Sequence, residues 1–200
     1  MGICEYARMI NGEKLMRLRC IFLFFFLGVL CLGGQDYSIQ KARKVLDIID
    51  KIQQDRLLRR SDDTRSVDVT ESELNSYAAH RIKIENEEVL KVLRFRLFDK
   101  NRIEVMAVVD LKGQKLPKYL KPKMEFYFGG VLEIKDGGVR LNLKDLFLGD
   151  QSIQPMVLDL VIFIASKIQN TEPSSIEDWY ELPYGIKDIK TQAGRATFYY

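Results

Sequence analysis

Met124–Leu148, MEFYFGGVLEIKDGGVRLNLKDLFL, reads as two long strands joined by a tight turn. Met124, Phe126 and Phe128 alternate with polar or exposed-type neighbours, and Leu132 and Ile134 continue the period-two pattern up to Asp136-Gly137-Gly138. Alternation puts one side chain in two on a common face, and an Asp-Gly pair supplies the positive φ that a two-residue hairpin turn needs. Val139, Leu141 and Leu143 carry the return strand, and Leu146-Phe147-Leu148 closes it before Gly149-Asp150. Gly129-Gly130 interrupts the outgoing strand, as expected at a bulge or sharp bend.

The same period extends upstream. Leu93, Phe95 and Leu97 alternate with Arg94 and Arg96; after Asp99-Lys100-Asn101, Ile103, Val105, Ala107, Val109 and Leu111 do the same. That is a second hairpin with one apolar face, linked to the first by a basic loop, Lys112–Pro122, with prolines at 117 and 122. Two short strands about Ala193-Gly194, introduced by Leu182-Pro183-Tyr184-Gly185, are expected at the end of the chain, after a polar loop, Thr171–Glu181, that carries Trp179.

Three helices flank these strands. Ile39, Ala42, Val45, Leu46, Ile49 and Ile52 recur at helical spacing from Ser38 to about Leu58, and Arg56–Ser66 follows as a charged hinge. Arg56, Arg59 and Arg60 read as a solvated helix end, with anionic headgroups of a membrane surface as the alternative contact. Thr70-Glu71-Ser72-Glu73 is a capping box opening a helix with Leu74, Tyr77, Ala78 and Ile82 on its apolar side, ending near Arg81. Ser152–Lys167 has Asp159 as its only charge before Lys167, and Pro155 suits its first turn. It is too short to span a bilayer and is expected to be covered on nearly every side, either by protein core or by core on one side and bound lipid on the other.

Met16–Gln35, MRLRCIFLFFFLGVLCLGGQ, has the parts of an export signal: Arg17 and Arg19, an uncharged run from Cys20 to Leu32, then Gly33-Gly34. Cleavage before Gly34 is expected, with an uncleaved anchor as the competing reading; Met16 competes with Met1 as the start. Leu30 argues against a lipobox at Cys31. Cys4, Cys20 and Cys31 all lie in or before this leader, so a chain starting near Gly34 has no disulfide, thiol nucleophile or cysteine metal ligand. His80 is the single histidine of the chain, which excludes a histidine-rich zinc site. Without residues 1–33 the chain holds 27 basic and 26 acidic side chains, and this balance gives no reason to expect nucleic acid as a partner. Three parts result: a leader over 1–33, an amphipathic helix and charged hinge over 34–66, and an α+β domain over 67–200.

Chemistry-bearing motifs are absent. Gly129-Gly130 and Gly137-Gly138 are not followed by a helix with Lys-Ser/Thr, so neither cradles phosphate. Carboxylates are plentiful, yet no pair is singled out for hydrolysis. His80, near the last turn of its helix and without a Ser or Cys nucleophile motif, reads as a surface or capping residue. No catalytic residue, metal ligand or cofactor is expected.

In order, the elements resemble the tubular lipid-binding proteins, and among them the LmeA-like and YpmS-like bacterial envelope proteins. The residues that carry the likeness are Val69–Asn75, Leu132–Leu148 with its Asp-Gly-Gly turn, Gly149-Asp150 running into Ile153-Gln154-Pro155, and Leu182–Ile186. The resemblance implies an α+β fold in which a curved antiparallel sheet wraps along an apolar helix, here with an additional N-terminal amphipathic helix. It also implies a non-catalytic protein of the periplasm or exterior whose groove holds an acyl or isoprenoid chain. The expected lining is Leu93, Phe95, Leu97, Val105, Ala107, Val109, Phe126 and Phe128 of the strands, facing Met156, Val157, Leu160 and Ile164 of the apolar helix. The alternative is an interaction module of cystatin-like or NTF-like shape whose apolar faces are consumed by a solid core.

Overall fold

The computed structural model describes residues 37–57, 64–118 and 120–200. The expected leader with its three cysteines, and Arg59 and Arg60 of the hinge, lie outside the described residues, as does the side chain of Arg56. Among the described residues no helix is long and apolar enough to cross a membrane.

The fold is α+β, with a strongly curled antiparallel sheet forming a half-barrel against a helix. Chain order is α1 (Ile39–Leu57), β1 (Ser66–Thr70), α2 (Glu71–Ile84), β2 (Leu90–Leu97), β3 (Arg102–Asp110), β4 (Lys123–Lys135), β5 (Gly138–Leu148), β6 (Gln151–Ser152), α3 (Pro155–Gln169), β7 (Tyr180–Glu181), a 3-10 turn (Pro183–Gly185), β8 (Asp188–Gln192) and β9 (Arg195–Tyr199). The large sheet runs β2-β3-β4-β5-β6, with β7 pairing the other end of β5; β1, β9 and β8 form a smaller antiparallel sheet. Both long hairpins and the final one therefore stand where the alternation puts them. Strand β1, only five residues long, and the two-residue strands β6 and β7 leave no alternating pattern in the sequence.

The large sheet carries two dislocations, one in the β2–β3 pair between Leu90 and Val92 and one in the β4–β5 pair, and such bulges bend and twist a strand. Gly129 pairs Asp145 while Gly130 pairs Leu143, so Lys144 has no partner opposite it. The extra residue sits on β5, across from the glycines, and lets Leu146 and Leu148 face inward together with Val139, Leu141 and Leu143 despite their opposite parity. Gly130 is required at this point: a Cβ there would stand 2.4 Å from the Asn142 carbonyl oxygen and 2.9 Å from Leu141 Cδ1.

The free edge of β2 is closed by side chains of α2. The Asn75 carboxamide accepts from the Phe95 amide at 2.7 Å and donates to the Phe95 carbonyl at 2.9 Å, as a neighbouring strand would. One turn earlier, Glu71 Oε2 accepts from the Leu97 amide at 2.8 Å. An unpaired edge is a template for another chain, and here a helix covers it. Helix α1 packs in turn on α2, burying Ala42, Val45 and Ile52 and setting Lys41 Nζ 2.7 Å from Ser72 Oγ. It is an element of the compact unit Asp36–Tyr200.

Helix α3 starts at Pro155 rather than Ser152, because β6 takes up residues 151–152, and it ends at Asn170 in the left-handed conformation. Its 15 residues span about 22 Å, close to the width of five strands at roughly 4.8 Å spacing. At its start the Ile153 amide donates to the Leu146 carbonyl of β5, and at its end Gln169 Nε2 donates to Glu87 Oε1 just before β2. The helix thus lies across one end of the sheet, from the β5–β6 side to the β2 side.

Candidate functional site

The inner face of the sheet is built from cross-strand rows. One row is Leu93, Ala107, Phe126 and Leu148; the next is Phe95, Val105, Phe128 and Leu146; a third is Leu97, Ile103, Gly130 and Leu143. Two covers lie over these rows. Helix α3 presses Leu158 and Val161 onto Ala107, Val109, Met124, Phe126 and Leu146. At the other end Ala196, with Phe198 and Leu74 packed beside it, meets Leu97, Ile103, Val105 and Leu141. Leu93, Phe128, Leu143 and Ile176 touch both clusters and are only partly buried, as is Phe95. They form an apolar seam between the two covers.

The expected lining is divided by this arrangement. Leu97, Val105, Ala107, Val109 and Phe126 are buried in the core. Leu93, Phe95 and Phe128 lie in the seam. Val157, Leu160 and Ile164 are half-buried on α3. Met156 is 79% exposed and Phe163 45%, both on the side of α3 away from Leu158 and Val161. Of the two covers open to this helix, protein core on every side is therefore not what the described residues supply. Its pattern is apolar all round, but only one side meets the sheet, and periodicity carries no record of which apolar residues lack a neighbour. Leu143 was foreseen as apolar but not as seam; Ile176 sits in a loop without periodicity and had no signal.

Asp159, the one acidic side chain of that helix, has a structural task. Its Oδ1 accepts from Ser175 Oγ at 3.0 Å and from the Ile176 amide at 3.2 Å, tying the loop that carries Ile176 down against α3.

Polar groups elsewhere are engaged in the frame. The capping box is formed: Glu73 Oε2 accepts from the Thr70 amide at 2.8 Å and Thr70 Oγ1 from the Glu73 amide at 3.3 Å. Burial opposes ionisation of Glu73, yet hydrogen bonds from Lys44 and from the Thr70 amide and hydroxyl hold its pKa below the usual 4.5. A lowered carboxylate contributes stability that is full above its unfolded value and is lost as pH falls through the folded value. Glu73→Gln keeps the acceptor for Thr70 but not the charge, and is expected to cost about 1 kcal/mol at neutral pH. Melting temperatures compared across the acid range should converge as the pH drops; parallel curves would refute the assignment.

His80 Nδ1 lies 3.1 Å from the Tyr37 hydroxyl, and the two rings stack with centroids 6.4 Å apart. Helix α2 continues to Ile84, so His80 lies a turn before its end, partly buried beneath Tyr37. Among the described residues no three His, Cys, Asp or Glu side chains are grouped to hold a metal. Among the described residues, one open cleft of about 520 Å³ lies between Asp99–Asn101 and Lys190–Gln192, and another of about 400 Å³ beside Trp179 and Tyr180 at the Asp136-Gly137 turn. Arg140 lies 4.9 Å over the Trp179 ring, and Gly138 sits 3.4 Å from the ring at its would-be Cβ. The indole is therefore packed by its own hairpin. Comparison of the chain with protein-family models, curated proteins and solved structures finds no match.

Proposed function

We propose that this is an exported, non-catalytic protein of the bacterial cell envelope that shields a long apolar chain, an acyl or isoprenoid tail, in the manner of the tubular lipid-binding proteins it resembles. The observation that carries the reading is the seam: Leu93, Phe95, Phe128, Leu143 and Ile176 stand partly open between the α3 cover and the small-sheet cover. An acyl chain laid there would complete the burial, at about 0.8 kcal/mol for each methylene removed from water. Its polar end would remain outside, so the headgroup needs no dedicated pocket. Val157, Leu160 and Ile164 extend the same apolar character onto α3.

The rival reading, a solid-cored interaction module, draws on the complete burial of Phe126 and the near-complete burial of Val105, Ala107 and Val109. Native mass spectrometry of the purified protein separates the two. A lipid-sized adduct is expected on the wild type and not on Phe128→Asp, because a carboxylate in the seam would meet the chain without a partner. Circular dichroism must show the variant still folded. Wild-type protein that carries no adduct and takes up no fluorescent fatty acid would favour the solid core.

A further inference from the structure

The β3–β4 connection, Leu111–Pro122, leaves the same end of the sheet that α3 crosses. Leu111, Leu116 and Leu120 of this loop pack in the cluster that contains Leu158 and Val161 of α3. The loop's own lysines point the other way: Lys112, Lys115, Lys118 and Lys121, with Lys123 at the start of β4, are all exposed. None of the five forms an ion pair among the described residues. The nearest acidic side chains in sequence are occupied, Asp110 by the Lys112 amide and Glu125 by the Tyr127 hydroxyl. Helix α3, whose inner side shares that cluster, turns Met156 and Phe163 to solvent, with Lys167 Nζ 5.4 Å over the Phe163 ring. Exposed lysines without an ion pair among the described residues, on a loop packed with an apolar helix that also has an exposed side, are the composition of an interfacial element, whose apolar side chains enter the headgroup boundary while ammonium groups meet lipid phosphates.

We infer that this end of the protein, the outer side of α3 together with the Lys112–Lys123 loop, docks on an anionic lipid surface. The charge selects the occupant: a second copy of the chain would set these lysines against one another about its symmetry axis. Docking does not require a chain in the seam, so the inference stands apart from the proposed cargo.

The test is site-specific and uses the full chain. Trp179 is the single tryptophan, so combining Trp179→Phe with Phe163→Trp leaves one indole, on the outer side of α3. Vesicles of phosphatidylcholine and phosphatidylglycerol with brominated chains are expected to quench that indole, and neutral phosphatidylcholine vesicles of the same bromine content to quench it far less. Reversing the loop lysines to glutamate, or raising the salt, should weaken quenching on anionic vesicles by about tenfold or more in lipid concentration. The apolar run at Cys20–Leu32 could carry the chain to any vesicle, but by itself it would not bring bromine to α3. No quenching, equal quenching on neutral vesicles, or indifference to the lysine reversals would overturn the inference. So would a concentration-dependent blue shift of the indole without lipid, which would make the occupant a second copy.

Discussion

Phe126→Ala is expected to destabilise the protein by about 3–5 kcal/mol, because a large, fully buried ring would leave a cavity at the centre of the main cluster. Phe126 stands in the Leu93–Ala107–Leu148 row directly under the α3 cover, so neighbours on three sides would have to collapse inward together. Urea unfolding measures the change as a shift in midpoint at constant slope. The comparison that gives the number meaning is Phe128→Ala, two residues on along the same strand face. Phe128 is already partly open at the seam, so its truncation removes less buried surface and should cost markedly less. Equal losses at the two positions would mean that the seam is as tightly packed as the core.

Gly130→Val is expected to disrupt the sheet strongly. The would-be Cβ meets a backbone carbonyl of β5 at 2.4 Å, and a backbone atom cannot swing aside as the end of a flexible side chain can. Strands β4 and β5 would have to part where Lys144 bulges, and the inward phase of Leu146 and Leu148 depends on that bulge. Overpacking typically costs about 1–3 kcal/mol when side chains can adjust, and a clash against backbone lies at or above that range. Gly137→Ala gives the contrast: nothing lies within 4 Å of its Cβ position, although its φ of +77° still disfavours a side chain. A soluble, cooperatively melting Gly130→Val protein with wild-type stability would show that the curl does not rest on this residue.

The two long hairpins and the capped helix are legible because their signals are local: alternation, an Asp-Gly turn, and Thr70 answered by Glu73 three residues on. Val69–Asn75 carries more than a helix start, since Glu71 and Asn75 reach 26 and 20 residues ahead to the edge of β2. Nothing in their spacing announces that reach, because a side chain that stands in for a strand has no periodicity. Strand β1 is illegible for a related reason: Ser-Val-Asp-Val-Thr is too short to show alternation, and its partner lies far along the chain. The candidate site was legible in part. Alternation named the inner face, and eight strand residues were placed on it, but whether such a residue ends in core or in seam depends on which cover reaches it. That depends on where α3 and the small sheet come to rest. The exposure of Met156 and Phe163 likewise follows from the path of α3 across the end of the sheet.

The order in which the molecule can assemble follows from the small sheet. Asp68 and Arg195, bonded across β1 and β9, are 127 positions apart, whereas the β2–β3 and β4–β5 pairs close through turns of a few residues. The cost of bringing chain ends together grows with their separation, so the meander is the fast part and the β1–β9 closure the slow one. The Glu71 amide at the start of α2 donates to the Gly194 carbonyl in the last hairpin, and the Gly194 amide donates to the Leu97 carbonyl. The final hairpin is therefore the clasp that fixes α2 against the edge of β2. Until its residues arrive, a partly made chain retains an open strand edge and an unsecured helix.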